Sequence, residues 1–258
     1  MTDYGHDLRF GVFITPNAAD AHDVLRLAKL AEREHLDIVT FQDHPYQRRF
    51  FDAFTLLAMV AAQTDRIFLA PNVANLPLRL PVTIAKAAAS IDILSDGRMH
   101  LGLGAGAFWD AIERVGGPRR TPGESVDALS EAIDAIRGFW DEGPPPTDRI
   151  EIWLGAYKPR MLRLTGRKAD GWLVSVGGAP PEALGEMTKT IDAAAEQAGR
   201  DPREIRRLYN IDTSFDARRL AQLYEDHGIS AFILMTDDPD EIKRFAHEVA
   251  PMVRELVP

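Results

Sequence analysis

The chain has 258 residues, 45% of them apolar and 27% charged, and its 30 Lys and Arg against 39 Asp and Glu leave a formal charge of −9. That length can bury a large core unaided, and the lack of any cysteine excludes a disulfide framework, a thiolate zinc site, a cysteine-held iron–sulfur cluster and a Cys nucleophile. The acidic balance argues against nucleic acid as the main partner, no stretch approaches ~18 consecutive apolar residues, and Met1-Thr2-Asp3-Tyr4 lacks the regions of a signal peptide, so a cytoplasmic protein bound to neither nucleic acid nor membrane is expected.

Residues 8–15 (LRFGVFIT) form an apolar, β-rich run ended by Pro16-Asn17, the first predicted strand. Asp20 is a candidate cap for the next element, where Val24, Leu27, Ala28, Leu30 and Ala31 recur at helical spacing. Strands follow at 37–41, 66–70 and 98–103, separated by helices at 51–63 and 82–94, the second stopped by Ser95-Asp96-Gly97. Two helices, 109–115 and 126–140, lead to a break at Gly143-Pro144-Pro145-Pro146. Strand five at 150–154 precedes a helix running through Leu164, and strand six at 171–176 precedes a helix at 181–198 closed by Gly199. Strand seven (205–211), a helix (217–227), strand eight (231–235) and a last helix (238–253) complete the chain.

Eight short buried strands alternating with helices predict an α/β fold, a closed (β/α)8 TIM barrel, as a single domain over residues 1–258. Several connections are short, notably 143–149 and 211–214. In such a barrel the segments after each strand gather at one end, where catalytic groups collect.

Four constellations occupy those positions. Gly102-Leu103-Gly104-Ala105-Gly106-Ala107 satisfies the dinucleotide fingerprint, but three strand–helix units precede it and two helices follow it. A close-packed turn, or a barrel loop whose small residues admit a flat cofactor, are the other readings. Asp43-His44-Pro45 offers an Asp–His pair for proton transfer, because histidine titrates near neutrality; the alternative is a turn. The two amides of Asn72-Val73-Ala74-Asn75 could bind a heterocycle edge or satisfy their own loop. Gly155-Ala156-Tyr157-Lys158-Pro159-Arg160 opens a helix with small residues and two cations, a phosphate cradle or a solvated helix start, and Gly177-Gly178 adds backbone N–H groups nearby. No H-E-x-x-H, G-x-S-x-G or P-loop is present, and the histidines are scattered, so no metal site is expected.

At these residues the chain resembles the bacterial-luciferase-like monooxygenase superfamily, the flavin- and deazaflavin-dependent barrels. The resemblance is carried by Asp43-His44, by Asn72 to Pro81 with the following Ile84-Ala85-Lys86-Ala87-Ala88-Ala89 and Leu94-Ser95-Asp96-Gly97-Arg98, by Leu101-Gly102-Leu103-Gly104-Ala105-Gly106, and by Trp153-Leu154-Gly155-Ala156 with Ala169-Asp170-Gly171-Trp172. It implies a flavin-dependent oxidoreductase, with reduced FMN and oxygen acting on a small organic substrate as the first expectation and a coenzyme F420-dependent oxidoreductase or a non-catalytic flavin-binding barrel as alternatives. By resemblance His44 is the acid or base. Asp43, Asn75, Gly104, Ala105, Gly106, Gly155, Ala156, Tyr157, Gly177 and Gly178 are the cofactor-binding candidates, the ring lying near Asn75 and His44 and the phosphate over the loops after strands five and six. NAD(P)H or a partner flavin reductase would supply electrons, and a homodimer through the early helices is expected. Relatives carry a non-proline cis peptide after strand three, which the resemblance puts at Asn75-Leu76, give or take one residue. The chain departs from the family in its short connections after the helix of strand four and after strand seven, where relatives carry loops that cover the substrate.

Overall fold

A computed structural model describes residues 4–143, 146–147 and 150–257. The short connection expected at 143–149 therefore lies partly outside the described residues. Parallel strand segments β1 (Arg9–Ile14), β2 (Ile38–Phe41), β3 (Phe68–Pro71), β4 (Ala74–Asn75), β5 (Leu101–Gly104), β6 (Ile152–Leu154), β7 (Gly171–Ser175), β8 (Arg206–Ile211) and β9 (Ile229–Met235) are paired in the order β3-β2-β1-β9-β8-β7-β6-β5-β4. Two further bonds bring the ends together, Leu69 N–H to the Arg98 carbonyl and His100 N–H to the Leu69 carbonyl, each 2.8 Å. Higher up, β4 takes over the pairing, with Ala74 opposite Leu103 and Asn75 opposite Gly104. β3 and β4 are thus two halves of one barrel strand, and the eight-stranded TIM barrel is formed. The halves part at Asn72-Val73, whose peptide bond is cis; the expected position, Asn75-Leu76, was too far along the chain.

The helices between the strands are α1 (Ala21–Arg33), α2 (Ala53–Ala61), α3 (Pro81–Leu94), α4 (Trp109–Arg114), α5 (Pro122–Glu142), α6 (Pro159–Lys168), α7 (Pro181–Gln197), α8 (Ala217–His227), α9 (Pro239–Arg244) and α10 (Ala250–Leu256). Pro81, Pro122, Pro159, Pro181 and Pro239 each occupy a first helical turn, where the missing N–H costs nothing and the fixed φ favours the helix. Asp20 precedes α1 without capping it; its carboxylate instead accepts from Asn17 Nδ2 at 2.8 Å. The last predicted helix is also interrupted: a π-turn, Phe245–Val249, separates α9 from α10. Pro251 has no N–H to return to His247, and the widened turn accommodates the gap.

Inside the barrel an apolar layer of Ile38, Ala70, Trp153, Leu173, Leu208, Ala231 and Ile233 is separate from the larger core between strands and helices. Trp153 fits there because Gly171 opposes it: a Cβ on Gly171 would lie 2.3 Å from the indole. Below this layer, at the N-terminal ends of the strands, a polar plug fills the barrel. The His100 ring stacks on Phe68 and leans on Trp153, with centroids 5.0 and 4.8 Å apart. Arg9 Nη1 is 3.2 Å from His100 Nε2, and Glu151 Oε2 accepts from Trp153 Nε1 at 2.7 Å and pairs with Arg206 at 3.4 Å.

Burial pushes the His100 pKa down to about 4; Glu151 opposes this, and Arg9 and Arg206 reinforce it. The unfolded chain, with an ordinary histidine near 6.5, takes up this proton first on acidification. Stability present above that pH is therefore expected to fall as pH drops from about 6.5 to about 4, by up to about 3 kcal/mol for this one group. His100→Phe keeps a ring in the stack without the titration. Urea denaturation across that range should show the variant losing less stability than the parent, and parallel losses would place the acid sensitivity elsewhere.

Candidate active site

The C-terminal ends of the strands surround a cavity of about 560 Å3. β2 and its following loop contribute Gln42, Asp43, His44 and Tyr46, and the parted strand contributes Asn72 to Asn75. β5 and its following loop contribute residues 104–108, the loop after β6 Gly155, Tyr157 and Lys158, and β7 and β8 Ser175 and Asn210. His44 and Gly155 therefore face one cavity, as the barrel reading requires.

The cavity floor is a chain of amides and hydroxyls. Asn72 Nδ2 donates to Thr40 Oγ1 at 3.2 Å and to Asn210 Oδ1 at 2.9 Å, while Asn210 Nδ2 donates to Asn72 Oδ1 at 3.1 Å and to Ser175 Oγ at 2.8 Å. Asn72 thus satisfies a network across the barrel. Asn75 differs: the residue is 7% exposed and its Oδ1 has no hydrogen-bond partner. A buried acceptor left unmade is costly, and the residue that carries it lines the cavity.

The glycines after β5 answer to the parted strand. A Cβ on Gly102 would lie 2.2 Å from the Pro71 carbonyl oxygen, and one on Gly104 2.6 Å from Val73 Cγ2. The G-x-G-x-x-A pattern is therefore a close-packing requirement beside the Val73 side chain, and the same small residues, Gly104, Ala105 and Gly106, form a cavity wall.

Asp43 lines the cavity, but its oxygens are engaged. Oδ2 accepts from the Asn75 N–H at 2.9 Å and from Arg79 Nε at 2.7 Å, and Oδ1 accepts from Arg79 Nη2 at 2.7 Å. The side chain is 1% exposed and that of Arg79 16%. Arg79 also reaches Asp52 at 2.5 Å. Burial lowers the Arg79 pKa but the two carboxylates outweigh it, and the net shift is upward. Asp43 thus fixes the loop that carries His44 to the strand that carries Asn75.

His44 stands at the rim, its ring packed among Tyr46, Phe50 and Phe108 at centroid distances of 5.3, 6.4 and 5.7 Å. Its Nδ1 is 2.5 Å from the Tyr46 hydroxyl. Burial lowers the His44 pKa and Asp43 pulls the other way, leaving it below the ordinary value. Burial, with Asp43 adding to it, pushes the Tyr46 phenol up to about 12. A neutral imidazole hydrogen-bonded to a protonated phenol leaves Nε2 free to give or take a proton.

Three expected residues are not on the cavity wall. Ala156 is fully buried and its carbonyl accepts from Trp172 Nε1 at 2.9 Å. Gly177 is outside the wall, and Gly178 lies behind it, its position giving room to the Tyr157 ring. Tyr157 in turn accepts the Ser175 N–H at 3.1 Å. Arg160 lies off the wall beside Gly123 at the start of α5, whereas Lys158 lines the cavity. The sequence reading missed Tyr46, Phe108, Ser175 and Asn210. Asn210 carried a signal: it lies two residues after the inward Leu208, so strand alternation points it into the barrel. Among the described residues, no group of three or more His, Asp or Glu could hold a metal ion, and no helix is long and apolar enough to cross a membrane.

The parallel barrel thus presents, at the C-terminal ends of its strands, a cavity with a small-residue wall and a histidine at the rim. Residues 8–252 match the luciferase-like monooxygenase family, and the chain belongs to that family. It is 27% identical to an F420-dependent glucose-6-phosphate dehydrogenase of Nakamurella multipartita, over 94% of this chain and 80% of that one. It is 32% identical to a 5,10-methylenetetrahydromethanopterin reductase of Methanolobus tindarius, over 77% of this chain and 63% of the relative. The fold matches an F420-dependent secondary alcohol dehydrogenase solved with an F420-acetone adduct, with a TM-score of 0.83 at 18% identity, covering 96% of this chain and all of that one. It also matches a long-chain alkane monooxygenase, with a TM-score of 0.83 at 14% identity over 97% and 92% of the two chains. The protein is accordingly a luciferase-like oxidoreductase whose cofactor is of the flavin or F420 type.

Proposed function

We propose that this protein is a coenzyme F420-dependent oxidoreductase that moves a hydride between the deazaflavin and a carbinol or carbonyl of a small organic substrate. The observation that carries this reading is the similarity over 94% of the chain to an F420-dependent dehydrogenase. FMN with oxygen, the first expectation from the sequence, has support from the monooxygenase likeness in fold.

The residues present fit a tricyclic, amide-bearing ring. Asn75 Oδ1 is a buried acceptor without a donor, which the pyrimidine-type N–H of either cofactor would satisfy. Gly104, Ala105 and Gly155 leave a wall without bulky side chains, and Lys158 supplies a positive charge for a phosphate. When bound, the deazaflavin accepts or returns a hydride. Asp43 and Arg79 hold the shelf formed by Asn72 to Asn75 in register, Tyr46 and Phe108 flank the His44 ring, and His44 holds the proton exchanged with the substrate oxygen.

The open rim also favours hydride chemistry over oxygen activation. Phe108 is 60% exposed, and a site that must shelter a reactive oxygen species needs fuller exclusion of water. Titration of the purified protein with F420 and with FMN, followed by absorbance and fluorescence, tests the reading. F420 should bind at least about tenfold more tightly and be reduced when secondary alcohols are offered. Tighter FMN binding, with oxygen consumed on reduction, would overturn it.

A further inference from the structure

A second groove, of about 460 Å3, opens from the cavity past His44 and shares Gln42, His44, Tyr46 and Phe108 with it. Its outer wall carries Arg49 and Arg114, and the adjoining surface adds Arg48. Three exposed arginines thus line this groove and the surface beside it, on a chain whose net charge is −9. Other arginines nearby are neutralised: Arg79 by Asp43 and Asp52, Arg119 by Asp110 and Glu113. Among the described residues, no carboxylate pairs with Arg48, Arg49 or Arg114. The Arg49 guanidinium lies over the ring of its neighbour Phe50, 5.4 Å from the centroid. Like charges held together without counter-charges repel, so an arrangement of this kind lowers its energy by taking up an anion.

We propose that this groove binds an anionic group, phosphate or carboxylate, belonging to the substrate, so that the bond to be oxidised or reduced lies inward beside His44. The inference rests on the oxidoreductase reading of the cavity and narrows its substrate class to organic anions. The aromatic floor of Tyr46 and Phe108 suits the short carbon segment between that anion and the reacting carbon. Arg114 comes from α4 and Arg49 from the loop after β2, so two separate elements hold the anion, and the spacing between anion and reacting carbon becomes the basis of selection.

The test uses inorganic pyrophosphate as the probe, with the parent protein, R49Q/R114Q and the control R119Q, whose arginine is already paired. Titration calorimetry should show saturable binding to the parent, weakened at least about tenfold in R49Q/R114Q and unchanged within about twofold in R119Q. Pyrophosphate should also shift the ring resonances of His44 in the parent. Absence of saturable binding, equal binding to all three proteins, or equal loss in R119Q would overturn the proposal. An F420 titration of the same samples separates the remaining alternative. If R49Q/R114Q weakens F420 and leaves pyrophosphate binding intact, the arginines serve the cofactor's own anionic side chain and the proposal fails. Failure of F420 to bind any sample would defeat the proposed function and leave the pyrophosphate result standing on its own.

Discussion

Asp43→Asn is expected to lower stability by about 3 kcal/mol and to weaken cofactor binding with it. The carboxylate is 1% exposed and holds Arg79 through two bonds of 2.7 Å. Removing one member of a buried pair leaves the other charge uncompensated, at a cost of about 3–5 kcal/mol; the remaining contact of Arg79 with Asp52 puts the expectation at the low end. For a chain of this size the melting temperature should fall by about 6–12 °C. Asp52→Asn supplies the contrast. Its side chain is 46% exposed, and Asn caps a helix as well as Asp does, so the loss there should stay below about 1 kcal/mol. Asp43→Asn also weakens the acceptor for the Asn75 N–H, so F420 affinity should drop in that variant and hold in Asp52→Asn. Urea denaturation with a parallel F420 titration measures both. Equal stabilities for the two variants would mean that the shelf is held by its backbone and not by Asp43.

The architecture was legible because it depends on period and order. Short buried runs such as residues 8–15 and 231–235 read as interior strands, and apolar residues at helical spacing placed the helices between them, although the helix expected from Val126 begins earlier, at Pro122. His44, Asn75 and Gly155 could be placed at one end because barrel topology sends every segment that follows a strand there. What remained hidden depends on side chains meeting across the barrel. The Asn72–Asn210 pair joins residues 138 apart in sequence, and no local pattern announces it. Asp43 looked like half of a proton-transfer pair because Arg79, its actual partner, lies 36 residues away. Gly178 was offered as a binding residue, although what it accommodates is Tyr157. Glycine spacing reports close approach, and only the fold says what approaches.

His44→Gln is expected to depress turnover by about 10²–10⁴-fold, the range for loss of a positioned general acid or base, while F420 affinity stays within about twofold. Binding should survive because the buried acceptor of the site is Asn75, and because Asp43, not His44, fixes the loop. The pH dependence sharpens the expectation. Burial holds the His44 pKa below its ordinary value, so the free base prevails at neutral pH. In the direction that takes a proton from a carbinol, kcat/KM should be level at neutral and alkaline pH and fall on acidification through the His44 pKa. In the direction that protonates a carbonyl oxygen, the rate should rise as pH falls through the same region. Both limbs should vanish in His44→Gln. Tyr46→Phe removes the hydrogen bond to Nδ1 without removing the imidazole, so its cost should be smaller, about tenfold. The double variant should be no worse than His44→Gln alone, since a residue that acts by orienting His44 has nothing left to orient. Circular dichroism confirms that each variant is folded. A folded His44→Gln with parental turnover would assign proton exchange to solvent, and additive losses in the double variant would give Tyr46 a contact with the substrate in its own right.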